Sequence, residues 1–446
     1  MKYLRTMLII FLCFSLTSAG YLAWLDRLLL YVSEEMADIL TMDVAYLLQA
    51  AGILLFSLLI RRFPRLAGKE FGSSMVLLFM ALVIPSVTAT NTIILIISGL
   101  VMNFVCGIVA AVYLYRLVSD VESGRRGIVW GIGYAAASIC SWIYTVIMGD
   151  KSYQPNVILV TCVIFAILAV VVFFMPDRVE PGDRTITIPN SGTVSKKAII
   201  LAAIVVVLIN LTDSTGFAFP ASDMSGGLSL EAVRLMYAAG LIIAGLVNDR
   251  NRKFGAFITV TALIIPFVIL ALQGINSSAY VFWCLSYLAA GFFAIYRITL
   301  FADIATESGL LYIGVFGLMF GRVGEALGSA VNHVVGGNAL VLIILTVVMY
   351  MAIILLFYRL YQLFYNPEAE AVRHEQARLY QFARQYDLSS REVEVLRLLS
   401  SGGTTAELAE QLFISESTVK FHIHNLIQKT GTKNRSELVN LFMASA

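Results

Sequence analysis

Apolar stretches long enough to cross a bilayer follow one another along most of this chain and then stop. They lie near 5–24, 43–60, 71–89, 92–115, 127–148, 156–175, 197–217, 233–247, 254–272, 279–299, 310–333 and 339–361. A membrane-crossing helix needs roughly 20 predominantly apolar residues. The pattern therefore predicts twelve spans within a transmembrane domain over 1–362. Residues 363–386 then read as a polar, helix-prone linker. From 387 to 446, short segments with apolar residues at helical spacing alternate with polar starts and glycine stops, which predicts a small water-facing helical domain. The fold class expected is all-α, a polytopic membrane protein with a C-terminal four-helix domain.

Composition agrees. Of the 446 residues 59% are hydrophobic and 13% charged, against about 25% charged in an ordinary soluble domain. Mean hydropathy is +0.84. Net charge is only +2, so placement carries the information. The N-terminus and every second connection hold seventeen Lys and Arg residues, among them Arg61, Arg62, Arg65, Lys69, Arg125, Arg126, Arg250, Arg252, Lys253 and Arg297. The opposite connections hold three, Arg27, Lys151 and Arg234. Cytoplasmic loops carry the excess of Lys and Arg, so both termini are expected on the cytoplasmic side of a multi-pass cell membrane protein. Lys2 and Arg5 ahead of an apolar run, with small residues at Ser18-Ala19-Gly20, also fit a signal peptide. The run continues to Trp24 and many spans follow, which favours a retained first helix. All five cysteines sit inside apolar runs without metal-ligand spacing, so no disulfide framework is expected.

The polar stretch around 177–196 divides the spans into halves, 1–176 and 197–362, and the halves echo each other. After the fourth span come Tyr115-Arg116, Asp120 and Glu122-Ser123-Gly124; after the tenth come Tyr296-Arg297, Asp303 and Glu307-Ser308-Gly309. Such a repeat suggests two parallel six-helix halves. The segment Gly245-Leu246-Val247-Asn248-Asp249-Arg250-Asn251-Arg252-Lys253, after the eighth span, resembles the loop signature of the major facilitator superfamily. The first-half copy, Leu59-Ile60-Arg61-Arg62-Phe63-Pro64-Arg65, keeps the basic residues and lacks the aspartate. The resemblance implies a 6+6 major-facilitator-like architecture over residues 1–362, with these loops gating alternate access.

In the C-terminal segment each helix start has a cause. Ser389 with Glu392 and Thr404 with Glu407 have capping-box spacing, Ser415 caps a third helix and Asn434 with Glu437 a fourth. Gly402-Gly403 and Gly431 supply the stops. On the third helix Val419, Ile423, Leu426 and Thr430 form one stripe, while Ser417, Lys420, Phe421, His424, Asn425 and Gln428 face the other way. That second face suits base edges in a major groove. The two-residue join Phe413-Ile414 fits a helix-turn-helix.

This segment resembles the LuxR-type (GerE-like) helix-turn-helix through Leu388, Ser389, Arg391, Glu392, Glu394, Val395, Leu396, Leu408, Ala409, Ser415, Thr418, Val419, Lys420, His422, Lys429, Gly431, Asn434, Arg435 and Leu438. The resemblance implies that Thr418, Lys420 and Lys429 contact DNA, and that the fourth helix pairs the domain into a homodimer on an inverted-repeat promoter site. Thr404, Lys433 and Arg435 complete the expected DNA-contacting set. From Asp387 onward seven acidic residues face six basic ones. Phosphate neutralisation supplies most non-specific affinity, so a monomeric domain is expected to bind double-stranded DNA weakly. In the linker, Val372, Leu379, Phe382 and Tyr386 fit either a short dimerising seam or a helix packed on its own module.

Polar groups inside spans are costly in lipid and default to function. Asn103, Asn210, Asp213, Arg322 and Glu325 are the candidate ligand-binding residues. Arg322 and Glu325, three apart on the glycine-rich eleventh span, are also spaced to pair with each other. The sequence shows no grouping of nucleophile, base and orienting acid, no phosphate-cradling loop before a Lys-Ser/Thr, and no metal-ligand set. His422 and His424 sit two apart on a helix and so point apart. No enzyme activity, cofactor or metal is expected. The leading expectation is a membrane-embedded one-component transcriptional regulator that senses a small molecule. A major-facilitator solute transporter with a regulatory DNA-binding tail is the alternative.

Overall fold

A computed structural model of the chain describes residues 3–149, 154–176, 194–215, 224–225, 228–229, 234–265, 279–335, 338–365 and 367–444. It divides into two compact units, Met1–Leu360 and Tyr361–Ala446.

The first half of the membrane unit contains α1 (Leu4–Leu28), α2 (Glu34–Asp38), α3 (Ala45–Arg62), α4 (Lys69–Thr88), α5 (Thr92–Asp120), α6 (Arg126–Met148) and α7 (Pro155–Phe174). The second contains α8 (Lys196–Ser214), α9 (Arg234–Arg250), α10 (Arg252–Ala262), α11 (Ala279–Ser308), α12 (Phe316–Val335) and α13 (Ala339–Phe364). Two antiparallel two-residue strands, Met224–Ser225 and Leu228–Ser229, lie between α8 and α9. Among the described residues ten helices have the length and composition to cross a membrane. Of the twelve expected spans, the eighth falls on α9, which has 17 residues, and the ninth on α10, whose expected continuation lies outside the described residues.

Several helices outrun their apolar windows. The second span is preceded by α2, which starts on a Ser33 cap and continues through a π-helical turn over Ile39–Val44. The helices of the fourth and tenth expected spans, α5 and α11, run to 29 and 30 residues and carry the repeated Tyr-Arg motif inside the helix. Hydropathy marks where lipid contact ends, whereas backbone hydrogen bonding continues into polar turns. Glycines on α12 let it approach its neighbours: a side chain at Gly317 or Gly321 would collide with Arg297 of α11, and one at Gly324 with the Val207 carbonyl of α8.

The two halves are tied where α5, α9 and α11 end. Asp249 accepts hydrogen bonds from the backbone N–H groups of Gly127 and Ile128 at 2.8 and 2.7 Å, capping the start of α6. Arg252 bridges Asp249 at 2.8 Å and Asp303 at 2.7 Å, and donates to the Ser123 carbonyl. Arg126, fully buried, donates to the carbonyls of Val118, Val121 and Ala302. The residues resembling the major facilitator loop thus make the cross-half contact. The first-half copy has no carboxylate with which to build its mirror image.

The second unit comprises α14 (Pro367–Gln385), α15 (Ser390–Ser400), α16 (Thr405–Leu412), α17 (Glu416–Thr430) and α18 (Arg435–Ala444). Pro367 sits at the first position of α14, where its missing N–H costs nothing. Leu379 and Phe382 of α14 are buried in one core with Val395, Leu396, Leu399, Leu408, Val419, Leu426, Leu438 and Phe442. Phe382 meets Phe442 edge-on at 5.4 Å, and the Arg378 guanidinium lies over the Phe442 ring. Of the two uses the linker pattern allows, the described part of the helix takes the second and packs on its own module. Val372 falls outside the residues whose side chains are described.

Candidate nucleic-acid interface and membrane cavity

The caps expected in the C-terminal unit form. Ser389–Glu392 and Thr404–Glu407 are complete capping boxes, Ser415 accepts from the Thr418 N–H, and Asn434 accepts from the Glu437 N–H. The turn from α16 to α17 passes through Phe413, a non-glycine residue at φ 55°. Such backbone is disfavoured for a bulky side chain, and the Phe413 ring lies 94% exposed.

On α17, Ser417, Lys420, Phe421, His424 and Gln428 are exposed and Asn425 is half-buried, while Val419 and Leu426 are fully buried beneath them. Of the other expected DNA contacts, Thr404, Thr418, Lys429 and Arg435 have side chains engaged within the domain, whereas Lys433 is engaged through its backbone N–H and its side chain is exposed. Thr418 Oγ1 lies 2.8 Å from Ser415 Oγ, and Thr404 is spent on its capping box. Arg435 donates to the Gly403 carbonyl, and the Lys433 N–H donates to Glu437. Lys429 Nζ donates to the Glu392 carboxylate at 2.8 Å and to the Asp387 carbonyl at 2.7 Å. The same Glu392 oxygen accepts from the N–H and hydroxyl of Ser389. Burial raises the Glu392 pKa, but the hydrogen bonds from Lys429 and Ser389 outweigh it and hold the carboxyl below its ordinary value of 4.5.

In the membrane unit, side chains from both halves line a cavity of about 330 Å³. Ten of its lining residues are aromatic, including Tyr46, Tyr134, Tyr237, Trp130 and Trp142. At its centre Glu325 bridges two guanidiniums: Oε1 accepts from Arg297 at 2.5 Å and Oε2 from Arg322 at 2.7 Å. Arg297 also donates to Asn210 Oδ1 at 2.6 Å. The Arg322 guanidinium lies 4.3 Å from the centre of the Tyr46 ring, a cation–π contact. Of the five expected ligand residues, Asn210, Asp213, Arg322 and Glu325 line this cavity. Asn103 stands one layer back, fully buried, accepting from Gln49 at 2.7 Å, and Gln49 is the residue that lines the wall. His333, at the end of α12, lies 3.7 Å from Asp43.

The cavity corrects one assignment. Arg297, counted above among loop cations, is a buried residue of α11 pointing into the cavity. Its counterpart in the repeat, Arg116, donates to the Ala67 carbonyl and lies 3.9 Å from Asp120. The Tyr-Arg repeat marked both positions; which arginine faces inward is set by helix packing. Sequence reasoning also gave no sign of the aromatic walls, because aromatic residues in spans are common and only their convergence is informative.

Residues 387–442 match the family model described as "Bacterial regulatory proteins, luxR family". Spore germination protein GerE of Bacillus subtilis is 54% identical over 52 residues, 12% of this chain and 70% of that protein. The CsgBAC operon transcriptional regulatory protein of Escherichia coli is 47% identical over 53 residues, 12% of this chain and 24% of that protein. The chain thus belongs to the luxR family of regulatory proteins through its C-terminal domain, and it spans about a quarter of the length of relatives such as the CsgBAC regulator. Crystal structures of a peptide transporter, POT, superpose with a TM-score of 0.55 at 13% identity, covering 81% of this chain and 95% of that one. The membrane unit shares the fold of that protein, and the whole is a multi-pass membrane protein carrying a LuxR-type DNA-binding domain.

Proposed function

We propose that this protein is a membrane-embedded one-component transcriptional regulator. A small molecule enters the cavity, shifts the balance between two packings of the halves, and so changes promoter binding by the cytoplasmic domain. The observation that supports this reading best is the outward face of α17, whose hydrogen-bonding side chains stand on a domain of the luxR family. The Lys and Arg distribution supports cytoplasmic termini even with Arg297 removed from the count. With Lys429 and Arg435 engaged inside the domain, few cations are left for phosphates. Useful affinity then needs two modules held together on an inverted repeat.

Chromatin pull-down of the tagged full-length protein, beside a truncation after Tyr365 and a Lys420→Ala/His424→Ala variant, tests this. Promoter fragments enriched only by the intact protein are expected; equal recovery with the variants defeats the reading. The transporter-like fold supports a second reading, a solute transporter with a regulatory tail. It predicts solute flux in proteoliposomes, whereas the regulator predicts ligand binding without flux.

A further inference from the structure

The membrane cavity carries donors and acceptors that its own side chains leave unused, and they are of opposite charge. Arg297 is 6% exposed, spends one nitrogen on Asn210 and Glu325, and has a buried Nε without a partner among the described residues. Arg322 gives one nitrogen to the other oxygen of Glu325 and lays its face on Tyr46. A guanidinium has five N–H donors. Two cations therefore share one carboxylate, which leaves a surplus of one positive charge and several free donors. Asp213 supplies the opposite surplus. It lines the same cavity and makes no hydrogen bond among the described residues. On α8 it stands three residues beyond Asn210, the partner of Arg297. Residues three apart on a helix are neighbours, about 5–6 Å between Cβ atoms. The free guanidinium donors and the Asp213 carboxylate thus line one cavity, with Asp213 one helical turn along α8 from the asparagine that holds Arg297, and ten aromatic side chains share the wall.

We propose that the cavity binds an aromatic α-amino acid or a close zwitterionic analogue. The carboxylate meets Arg297 and Arg322, the ammonium meets Asp213, and the ring lies among Tyr46, Tyr134, Tyr237 and Trp130. An α-amino acid carries acid and amine on one carbon, so both charges can be met inside the one cavity that Asp213, Arg297 and Arg322 line. A molecule with the acid alone gives Asp213 no hydrogen-bond partner, and one with the amine alone leaves the free guanidinium donors unused. Either omission sacrifices a charge-assisted hydrogen bond worth about 1.5–3 kcal/mol, which is about tenfold or more in affinity.

The inference deepens the sensor reading and rests on it. Its test is ligand binding by purified full-length protein in detergent, so its failure leaves promoter occupancy untouched. Titrate phenylalanine, 3-phenylpropanoate, 2-phenylethylamine and 3-phenylpropanamide, reading the fluorescence of Trp130 and Trp142 in the wall and confirming by calorimetry. Phenylalanine is expected to bind at least about tenfold more tightly than the other three. In Asp213→Asn, a near-isosteric change whose folding is checked by thermal unfolding, that advantage over 3-phenylpropanoate is expected to vanish. The proposal is overturned if any of the three one-sided or neutral analogues binds wild-type protein as tightly as phenylalanine, if none of the four binds, or if Asp213→Asn keeps the full preference.

Discussion

In the C-terminal unit Phe382, Leu396 and Phe442 are inside and Lys420, His424 and Gln428 are outside; in the membrane unit Leu58, Ile93, Ile147 and Leu355 stay exposed while Arg126, Arg297 and Asp303 are buried. The difference follows from what surrounds each. Water satisfies the polar face of α17 for nothing, so the module needs only an apolar stripe on each helix. Lipid offers no hydrogen bonds, so a charge within the spans needs a partner from the protein or from a bound molecule. A charged pair therefore has a different worth in the two places.

The largest expected contrast comes from removing one glutamate in each unit. Glu325→Leu leaves two buried guanidiniums without their shared carboxylate, and a cost of about 3–5 kcal/mol is expected, seen as lost thermal stability in detergent. Glu394→Leu breaks the exposed Arg391–Glu394 pair, whose side chains are 58% and 49% exposed, and should change stability by less than about 1 kcal/mol. Equal losses at the two sites would refute the contrast.

Truncating Phe382 to alanine tests whether α14 is structurally part of the module. The ring is 1% exposed, and about 3 kcal/mol of lost stability is expected in chemical denaturation of a 361–446 fragment. An unchanged midpoint would return the helix to the role of a free linker.

Lys429 and Lys420 separate a charge engaged inside the domain from one left on its surface. Lys429→Met strands the buried Glu392 and is expected to destabilise the module by about 1–3 kcal/mol. Lys420→Met should leave stability within about 0.5 kcal/mol. If Lys420 meets a phosphate, its variant also lowers the salt dependence of DNA binding by about one unit of slope. Reversed outcomes would show the two lysines misassigned.

The smallest effect is in pH. Because the Glu392 carboxyl is held below its ordinary value, its stabilising contribution is complete above about pH 4.5 and is lost as pH falls through its folded value. Denaturation midpoints of the fragment should fall in that acid range, and less steeply in Lys429→Met. Equal slopes would remove Glu392 from the account.

Much of this was legible beforehand. Every N-terminal cap of the helix-turn-helix could be read from spacing because capping is local: Ser389 and Glu392 meet through one turn of backbone. The face of α17 followed from its period. The apolar spans followed from length, and the echo of Tyr115-Arg116 in Tyr296-Arg297 pointed to duplicated halves. Helix ends were less legible, since α5 and α11 continue past the lipid-facing window into turns that polar contacts such as those of Arg126 and Asp303 hold.

What the sequence determined by itself is the order of elements, the helix starts and stops and the family of the C-terminal domain, all of which depend on residues within a few turns of one another. Only the tertiary structure decided that Arg297 faces inward while Arg116 does not, that Glu325 holds two guanidiniums from different helices, and that Lys429 closes onto Glu392 thirty-seven positions away. Those choices depend on which helices lie side by side, and the energy of a buried charge depends on neighbours that no local pattern specifies.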